Sequence, residues 1–448
     1  MGNQLKEKYG LTTAIAMVVG IVIGSGVFFK AEKVLSATGG DLGLGIFAWV
    51  IGAVIMISCA YTFAVMATKY VNVNGVVDYA ENTVGEKYAY MMGWFVATIY
   101  CPAITSVLAW VSARYTSVLF GFDIVGPQCM VIAGFYLIAS YCLNALSPSL
   151  AGKFQVSTTV IKLIPLGIMA IVGTIVGLSS GMTQQNFSTV VETIPMGEGL
   201  FTAVVATAFA YEGWILATTI NSELKDSKKN LPKALLIGTF IIAAVYICYY
   251  IGLSGTVTNE TLMAGGEQGA RIAFSTIFGK MGGTLMFVLV VISCLGTLNG
   301  LMLACTRGFY SLAARGRGIK PKMISQIDKE TNMPSNAAVL GLFVASAWLF
   351  FFYGANLTDP WFGFLSFDSS ELPIVALYAS YIPMFIAFMK KEKDLNIFQR
   401  FIMPFLALIG SIFMVIAAIF SHRQAVIGFL VVFLVVMAVA PFYYRKKK

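Results

Sequence analysis

Long runs of apolar residues, separated by short polar segments, extend along almost the whole chain. Each run reaches about 20 residues, the length that an α-helix needs to cross the hydrocarbon core of a bilayer. The pattern predicts about twelve membrane-spanning helices, at residues 11–37, 42–68, 88–119, 128–147, 154–178, 199–221, 233–256, 282–306, 336–354, 366–389, 400–420 and 424–443. We therefore expect an all-α polytopic membrane protein.

The composition agrees with this pattern. The 448 residues are 58% hydrophobic and 11% charged, whereas a typical soluble domain has about 25% charged residues. The first apolar run is too long and too rich in glycine for a cleaved signal peptide, so we expect it to remain as a span. The loops are too short to form a core of their own, and residues 1–448 are expected to form one transmembrane domain.

The distribution of charge predicts the orientation in the membrane. With both termini on one side, about 23 Lys and Arg residues fall on that side and about 6 on the other, which predicts cytoplasmic termini and a plasma (inner) membrane location. The net charge of +9 is scattered over short loops, so it predicts no nucleic-acid partner. The basic tail, Arg445 to Lys448, suits anionic membrane lipid, although topology alone explains it.

The cysteine and histidine residues predict no metal site and no cofactor. The seven cysteines lie in apolar runs without CxxC or CxxH spacing, and His422 is the only histidine. Such a pattern disfavours zinc and haem sites. Cys129 lies near the external face, where it is either a small buried hydrophobe or a link to a partner.

The first span contains a glycine-marked interruption at Gly24, Ser25 and Gly26. Glycine allows the helix to stop and restart within a few residues. The restarted half-helix presents free N–H groups and the positive end of its dipole, which favours a carboxylate. Ser25 adds a hydroxyl donor, and the carbonyls of Val22 and Ile23 are acceptors suited to an ammonium group.

A second interruption lies about halfway along the sixth run, at Phe209, Ala210, Tyr211, Glu212 and Gly213. The carbonyls of Phe209, Ala210 and Glu212 are expected to face the amine of a ligand. An acidic residue at that depth is costly and indicates function. The ring of Phe209 could close over a ligand, and the following residue, Trp214, could shape a side-chain pocket.

Each interruption also has a purely structural interpretation. Gly20 and Gly24 are four residues apart, a spacing typical of closely packed helices, and aromatic residues are common in any membrane core. The presence of both interruptions favours a binding site. Unwound backbone in a membrane is tolerated only where protein or a cavity surrounds it, and paired interruptions in two halves of a chain are typical of transporters.

Lys162 is the third candidate. It lies about nine residues, or some 13 Å, beyond Lys153, the last loop lysine, too deep for its side chain to reach the interface. Its ammonium could hydrogen-bond the carbonyls of the broken first helix and replace a sodium ion there, or it could carry a proton. A bracing lysine that never changes protonation is the alternative.

Four features in order, GIVIGSGVF at 20–28, Lys162, FAYEGW at 209–214 and NLPKA at 230–234, resemble the amino acid–polyamine–organocation (APC) transporters. Within them the chain is most similar to the L-type amino acid transporter branch and to bacterial alanine–serine–cysteine and serine–threonine exchangers. The resemblance covers about residues 10–440. The Gly-Ser-Gly motif alone is moderately specific, whereas the four features together are strongly so.

The resemblance implies a LeuT-like fold with unwound helices 1 and 6. Residues 11–178 would form the first five-helix repeat, residues 199–389 the second, inverted repeat, and residues 400–443 two peripheral helices. It also implies that the substrate carboxylate binds at the first interruption and the amine at carbonyls of both. The family lysine matches Lys162, and a family tyrosine that bonds the unwound first helix matches Tyr246.

Two departures from the family pattern matter. L-type members often have glycine where this chain has Glu212, so the orientation of that side chain is open. The eukaryotic members carry an external-loop cysteine that links a heavy subunit, and Cys129 lies too close to span 4 to match it. We therefore expect no disulfide-linked partner.

Together these features predict a transporter and not an enzyme. The expected function is sodium-independent exchange of neutral, small L-amino acids by alternating access. A proton-coupled amino acid symporter that uses Lys162 or Glu212 is the alternative within the same class. A channel or a transport-dead nutrient sensor is the alternative from another class.

Overall fold

The computed structural model describes residues 10–24, 26–70, 75–217, 224–357 and 359–444. Every regular element in these ranges is a helix. In chain order the helices are α1 Leu11–Val22, α2 Gly26–Ala37, α3 Leu42–Lys69, α4 Val76–Thr83, α5 Glu86–Phe120, α6 Pro127–Leu146, α7 Pro148–Ser180, α8 Met182–Ser188, α9 Met196–Ala210, α10 Trp214–Ala217, α11 Ser227–Ser254, α12 Asn259–Gly265, α13 Gly269–Ala314, α14 Pro321–Ile324, α15 Ser335–Ala355, α16 Leu372–Lys391, α17 Phe398–Ser421 and α18 Arg423–Tyr443.

Ten of these helices are long and apolar enough to cross a bilayer, namely α3, α5, α6, α7, α11, α13, α15, α16, α17 and α18. Two shorter apolar helices, α1 and α9, belong to the spans that the sequence predicts to be interrupted. Large apolar side chains on the spans are exposed, including Val131 (72%) and Phe343 (71%). Such side chains are stable in hydrocarbon, and the chain is a multi-pass, all-helical membrane protein.

Every predicted run overlaps helix within the described residues, but several boundaries differ. The run predicted at 366–389 starts too early, because helix begins at Leu372, and α7 and α11 each begin six residues before the runs predicted at 154–178 and 233–256. The run at 282–306 is part of α13, in which non-helical backbone at Gly279 (φ 71°, ψ 171°) separates a short first helix from the long helix that follows. The run at 154–178 begins earlier, at Pro148, because proline is well suited to the first turn of a helix.

Local chemistry accounts for where several helices begin and end. The Asp41 side chain accepts a hydrogen bond from the Leu44 N–H at 2.9 Å and so caps α3. Gly121 ends α5 in the left-handed conformation, with φ 71°, which glycine adopts without strain. Pro127 and Pro148 occupy the first turns of α6 and α7.

The chain divides into two compact units. The first contains Met1–Ala89, Leu166–Glu260 and Val375–Ala417. In it, α11 packs against α1 and α3, and α2 packs against α9. Its interior is rich in fully buried aromatic residues, among them Trp49 and Tyr246.

The second unit contains Tyr90–Pro165, Thr261–Ile374 and Ala418–Lys448. In it, α13 packs against α6 and α15. A hydrogen bond between two buried amides joins α6 to α13: the Asn144 side-chain N–H₂ donates to the Asn299 side-chain oxygen at 2.9 Å. The division of the chain into repeats at 11–178 and 199–389 stays a prediction.

Candidate functional site

The first interruption lies between α1 and α2, as the sequence predicts. The helix ends at Val22, and Ile23 has an extended conformation, with φ −65° and ψ 104°. The Ile23 N–H still donates to the Val19 carbonyl at 2.9 Å. Helix restarts at Gly26, and the first N–H groups of a helix have no partner within it. Ser25 lies outside the described residues.

The second interruption lies between α9 and α10. Gly213 has φ 107°, in the left-handed region that strongly favours glycine. Before it, the Tyr211 N–H donates to the Thr207 carbonyl at 3.1 Å, and the Glu212 N–H donates to the Phe209 carbonyl at 3.4 Å. The positive φ of Gly213 thus changes the direction of the backbone between the end of α9 and the start of α10.

The two interruptions are in direct contact. A Cβ atom built on Gly26 would lie 2.6 Å from the Ala210 Cα and 3.2 Å from the Phe209 carbonyl oxygen. A real Cβ atom essentially never comes as close to another atom as 2.6 Å. Gly26 itself is helical, so space, not backbone angle, requires glycine here. The absence of a side chain lets the start of α2 lie against the end of α9.

Tyr246 of α11 holds the first interruption in place. Its hydroxyl donates to the Val22 carbonyl at 3.1 Å, and the Gly24 amide interacts with the same hydroxyl oxygen. Its ring stacks on Tyr211 with centroids 5.4 Å apart, and the Tyr211 hydroxyl donates to the Trp49 carbonyl at 3.0 Å. The bond that the family resemblance implied is present, and its role in transport stays a prediction.

The two aromatic candidates have different surroundings. Phe209 is 6% exposed, and its ring meets Phe29 edge to face at 5.7 Å between centroids. Trp214 is fully buried and lies 5.5 Å from Phe63 and 6.1 Å from Tyr381, centroid to centroid. Phe209 is therefore beside the contact of the two interruptions, and Trp214 belongs to an aromatic cluster beyond the second one.

The structure shows where the Glu212 side chain points, which the sequence left open. The residue is half-buried, and its Oε2 atom is fully shielded from solvent. The carboxyl group interacts electrostatically with Cys59 of α3 and with Tyr378 and Tyr381 of α16. The side chain is thus turned into the first unit.

Lys162 is 3% exposed, as its depth in the sequence predicts. It lies in α7, and its backbone N–H donates to the Thr158 carbonyl at 3.0 Å. Lys162 belongs to the second unit, whereas both interruptions belong to the first. The proposed bond from its ammonium to the broken first helix stays a prediction.

Within the ranges described, no three His, Cys, Asp or Glu side chains are grouped as metal ligands. None of the seven cysteines, all within the described ranges, forms a disulfide, and Cys129 is buried. The burial of Cys129 agrees with the interpretation of this residue as a small hydrophobe.

Three residues near the interruptions escaped the sequence reasoning: Trp49, Tyr211 and Lys30. Tyr211 lies inside the FAYEGW motif, and this position could have identified it as a residue of the second interruption. Trp49 is one of many apolar residues in a long span and has no distinguishing pattern. Lys30 is a single lysine in the apolar run at 11–37, and its side chain is 0% exposed.

Comparison with known proteins agrees with this geometry. Residues 9–442 match the family described as amino acid permease. The serine/threonine exchanger SteT of Bacillus subtilis is 30% identical, over 100% of this chain and 98% of that protein. Human b(0,+)-type amino acid transporter 1 is 25% identical, over 94% of this chain and 84% of that protein.

A solved structure shares the fold. The crystal structure of MhsT in complex with L-phenylalanine superimposes with a TM-score of 0.64 at 14% identity, covering 94% of this chain and 100% of that one. This likeness shows a LeuT-like fold alone. The extent of the family match and the identity to the bacterial exchanger show that the chain belongs to the amino acid permease family of the APC superfamily, whose members are transporters and not enzymes.

Proposed function

We propose that this protein exchanges small neutral L-amino acids across the cell membrane by alternating access, without sodium. The observation that carries the proposal is the contact between the two helix interruptions at Gly26 and Ala210. It brings the N–H groups at the start of α2 and the carbonyls at the ends of α1 and α9 into the same region of the first unit.

Backbone groups would recognise the part that all amino acids share. The substrate carboxylate would bind at residues 24–26, to the N–H groups that begin α2 and to the Ser25 hydroxyl, where the dipole of α2 is positive. The substrate ammonium would bind carbonyls of Val22, Ile23, Phe209 and Ala210, at the negative ends of α1 and α9. This division explains why the site needs no ion pair with a side chain to bind a zwitterion.

The side chains around this backbone would set the size of the substrate. Phe209 and Trp214 are bulky and buried, and bulky residues beside the substrate would favour small side chains. A bacterial relative is named for exchange of serine and threonine. Both observations support a preference for alanine, serine, threonine and cysteine.

Lys162 would make sodium unnecessary by supplying a fixed positive charge within the membrane. Its burial at 3% exposure supports this role, because a buried ammonium is retained only where it serves a purpose. We also propose that both termini are cytoplasmic, as the basic loops predict. The protein is further proposed to function without a disulfide-linked heavy subunit.

Counterflow in liposomes tests the proposal. Purified protein is reconstituted, vesicles are loaded with unlabelled alanine, and the uptake of radiolabelled alanine is measured with and without sodium. Internal alanine should stimulate the initial rate at least about tenfold over empty vesicles, equally in both salts, because an exchanger returns to the outside quickly only when loaded. Uptake that internal substrate does not stimulate would indicate a channel, and no uptake would indicate a sensor.

A proton-coupled symporter is the second candidate, and the buried carboxylate oxygen of Glu212 is the observation that favours it. An imposed pH gradient distinguishes the two functions. Uphill accumulation of alanine in empty vesicles, abolished by Glu212→Gln, would replace the exchanger with the symporter.

A further inference from the structure

Tyr211 connects the second helix interruption to the first. It follows Ala210, the last residue of α9, and it is 1% exposed. Its ring stacks on that of Tyr246, with centroids 5.4 Å apart and an interplanar angle of 27°. Because the Tyr246 hydroxyl bonds the Val22 carbonyl at 3.1 Å, one pair of rings joins the end of α9 to the end of α1.

A second set of contacts fixes Tyr211 to α3. Its hydroxyl donates to the Trp49 carbonyl at 3.0 Å, and its ring meets the Trp49 ring edge to face at 5.4 Å between centroids. Gly52, about one helical turn further along α3, leaves room for this ring, because a Cβ atom there would lie 3.0 Å from Tyr211 Cε2. The side chain of Tyr211 is therefore held at both its ring and its hydroxyl.

The carbonyls that Tyr211 can position belong to the proposed amine site. Those of Phe209 and Ala210 immediately precede it in the chain, and that of Val22 lies at the other end of the tyrosine pair. A substrate ammonium must reach carbonyls of both interruptions at once. Since hydrogen bonds weaken steeply with distance and angle, the relative position of the two sets of carbonyls decides how many of the ammonium N–H groups are bonded.

From this geometry we propose that Tyr211 is a positioning residue, which sets the carbonyls of the second interruption relative to that of Val22 so that the site selects a primary amino group. The inference rests on the proposed function. A primary ammonium has three N–H donors, whereas an N-methylated one replaces a donor by a methyl group. Correctly placed carbonyls therefore disfavour the methylated compound, because a buried carbonyl is left without a partner.

Alanine and N-methylalanine test this selectivity, because they differ only at the amine. Each is titrated against the counterflow of labelled alanine by the full-length protein in liposomes, and the ratio of the two inhibition constants measures the selectivity. For the wild type we expect alanine to compete at least about tenfold better, which is the effect of one lost charge-assisted hydrogen bond.

Variants of Tyr211 then separate its two contacts. Tyr211→Phe removes the bond to the Trp49 carbonyl and keeps the ring, whereas Tyr211→Leu removes both. The selectivity should fall about three- to tenfold in Tyr211→Phe, which is the usual weight of one neutral hydrogen bond in an equilibrium constant. It should fall at least as far in Tyr211→Leu, because the stacking on Tyr246 is lost as well.

Tyr90→Phe is the matched control. The Tyr90 hydroxyl also donates to a backbone carbonyl, that of Ala440, at 2.7 Å, and the residue is 2% exposed, but it belongs to the second unit. This variant loses the same kind of bond away from both interruptions and should keep the wild-type selectivity. An equal fall of selectivity in Tyr90→Phe and Tyr211→Phe would show that lost stability, and not the position of the carbonyls, is the cause.

Two further outcomes would overturn the inference. One is equal competition by alanine and N-methylalanine in the wild type, and the other is wild-type selectivity in Tyr211 variants that still exchange alanine. If Tyr211→Leu does not fold, Tyr211→Phe alone decides. Absence of alanine counterflow in the wild type would instead contradict the proposed function, so the two failures are distinguishable.

Discussion

The hydroxyl of Tyr246 donates a hydrogen bond of 3.1 Å to the carbonyl of Val22, the last residue of α1. The last carbonyls of a helix have no partner within the helix, and in a membrane they must find one in the protein. Tyr246 supplies that partner from α11. It stabilises the end of the first half-helix, and the next two residues, 23 and 24, are non-helical.

Tyr246→Phe removes this hydrogen bond and keeps the ring. A net loss of about 0.5–1.5 kcal/mol is typical for one bond, which corresponds to a change of up to about tenfold in an equilibrium constant. We expect weaker alanine binding and slower exchange, measured as KM and initial rate of counterflow. KM should rise and the initial rate should fall, each by a few-fold to about tenfold.

Tyr249→Phe is the matched control. Tyr249 is also fully buried in α11, but its hydroxyl has no hydrogen-bond partner within the described part of the chain. Its removal should leave exchange within about twofold of wild type, because no bond is lost. Equal effects of the two substitutions would show that the Val22 contact is unimportant.

Gly26→Ala places a methyl group 2.6 Å from the Ala210 Cα. Backbone on both sides must move apart, since no flexible side chain can give way. Displacing binding groups by about 1 Å is enough to cost about a hundredfold in function. We therefore expect counterflow to fall at least about tenfold while the protein remains monodisperse in detergent.

Gly134→Ala is the control for this substitution. Gly134 lies in the spanning helix α6, and a Cβ atom there would meet nothing within 4 Å. It should exchange alanine as the wild type does. Normal exchange by Gly26→Ala would contradict the close contact of the two interruptions.

Lys162→Met tests the proposed replacement of sodium. Losing a charge-assisted hydrogen bond costs about 1.5–3 kcal/mol, enough to change the balance between inward-open and outward-open states about tenfold or more. Exchange should be impaired and asymmetric between the two faces of the membrane, in vesicles of defined orientation. Lys153→Met, on an exposed lysine of the same helix, should behave as wild type.

Sodium dependence gives the same proposal a second test. Wild-type exchange should be equal in sodium and in choline chloride. A clear stimulation of the wild type by sodium, or normal kinetics of Lys162→Met on both faces, would exclude this role for Lys162.

Recognition by backbone groups predicts that both ends of the zwitterion are required. Ethylamine lacks the carboxylate, and N-acetylalanine lacks the ammonium. Each should inhibit alanine counterflow at least about a hundredfold less well than alanine, because each leaves one set of buried polar groups unpaired, at about 1–3 kcal/mol per group. Strong inhibition by ethylamine would indicate a transporter of amines.

A competition panel of natural amino acids tests the size limit. Alanine, serine, threonine and cysteine should compete best. Leucine or phenylalanine competing about tenfold better than alanine would mean that Phe209 and Trp214 leave a larger pocket than proposed, since an added methylene in an apolar pocket strengthens binding by about 1–3 kcal/mol.

The sequence alone determined the helical class, the position of the spans, both interruptions and the burial of Lys162. These properties depend on short stretches of chain: a run of about 20 apolar residues, glycine within it, and the distance of a charge from the nearest loop. The first residues of α7, α11 and α16 were less well predicted, because hydropathy alone does not indicate the residue at which a helix begins.

Only the tertiary structure showed that Gly26 touches Ala210, that Tyr211 bonds the Trp49 carbonyl, and that Lys30 lies over Phe209. These contacts join residues that are far apart in the chain. In a membrane protein the lipid is as apolar as the helix surfaces, so hydropathy does not indicate which face of a helix meets another helix. The choice is made by close packing and by the need of interrupted backbone for hydrogen-bond partners, and both depend on the assembled fold.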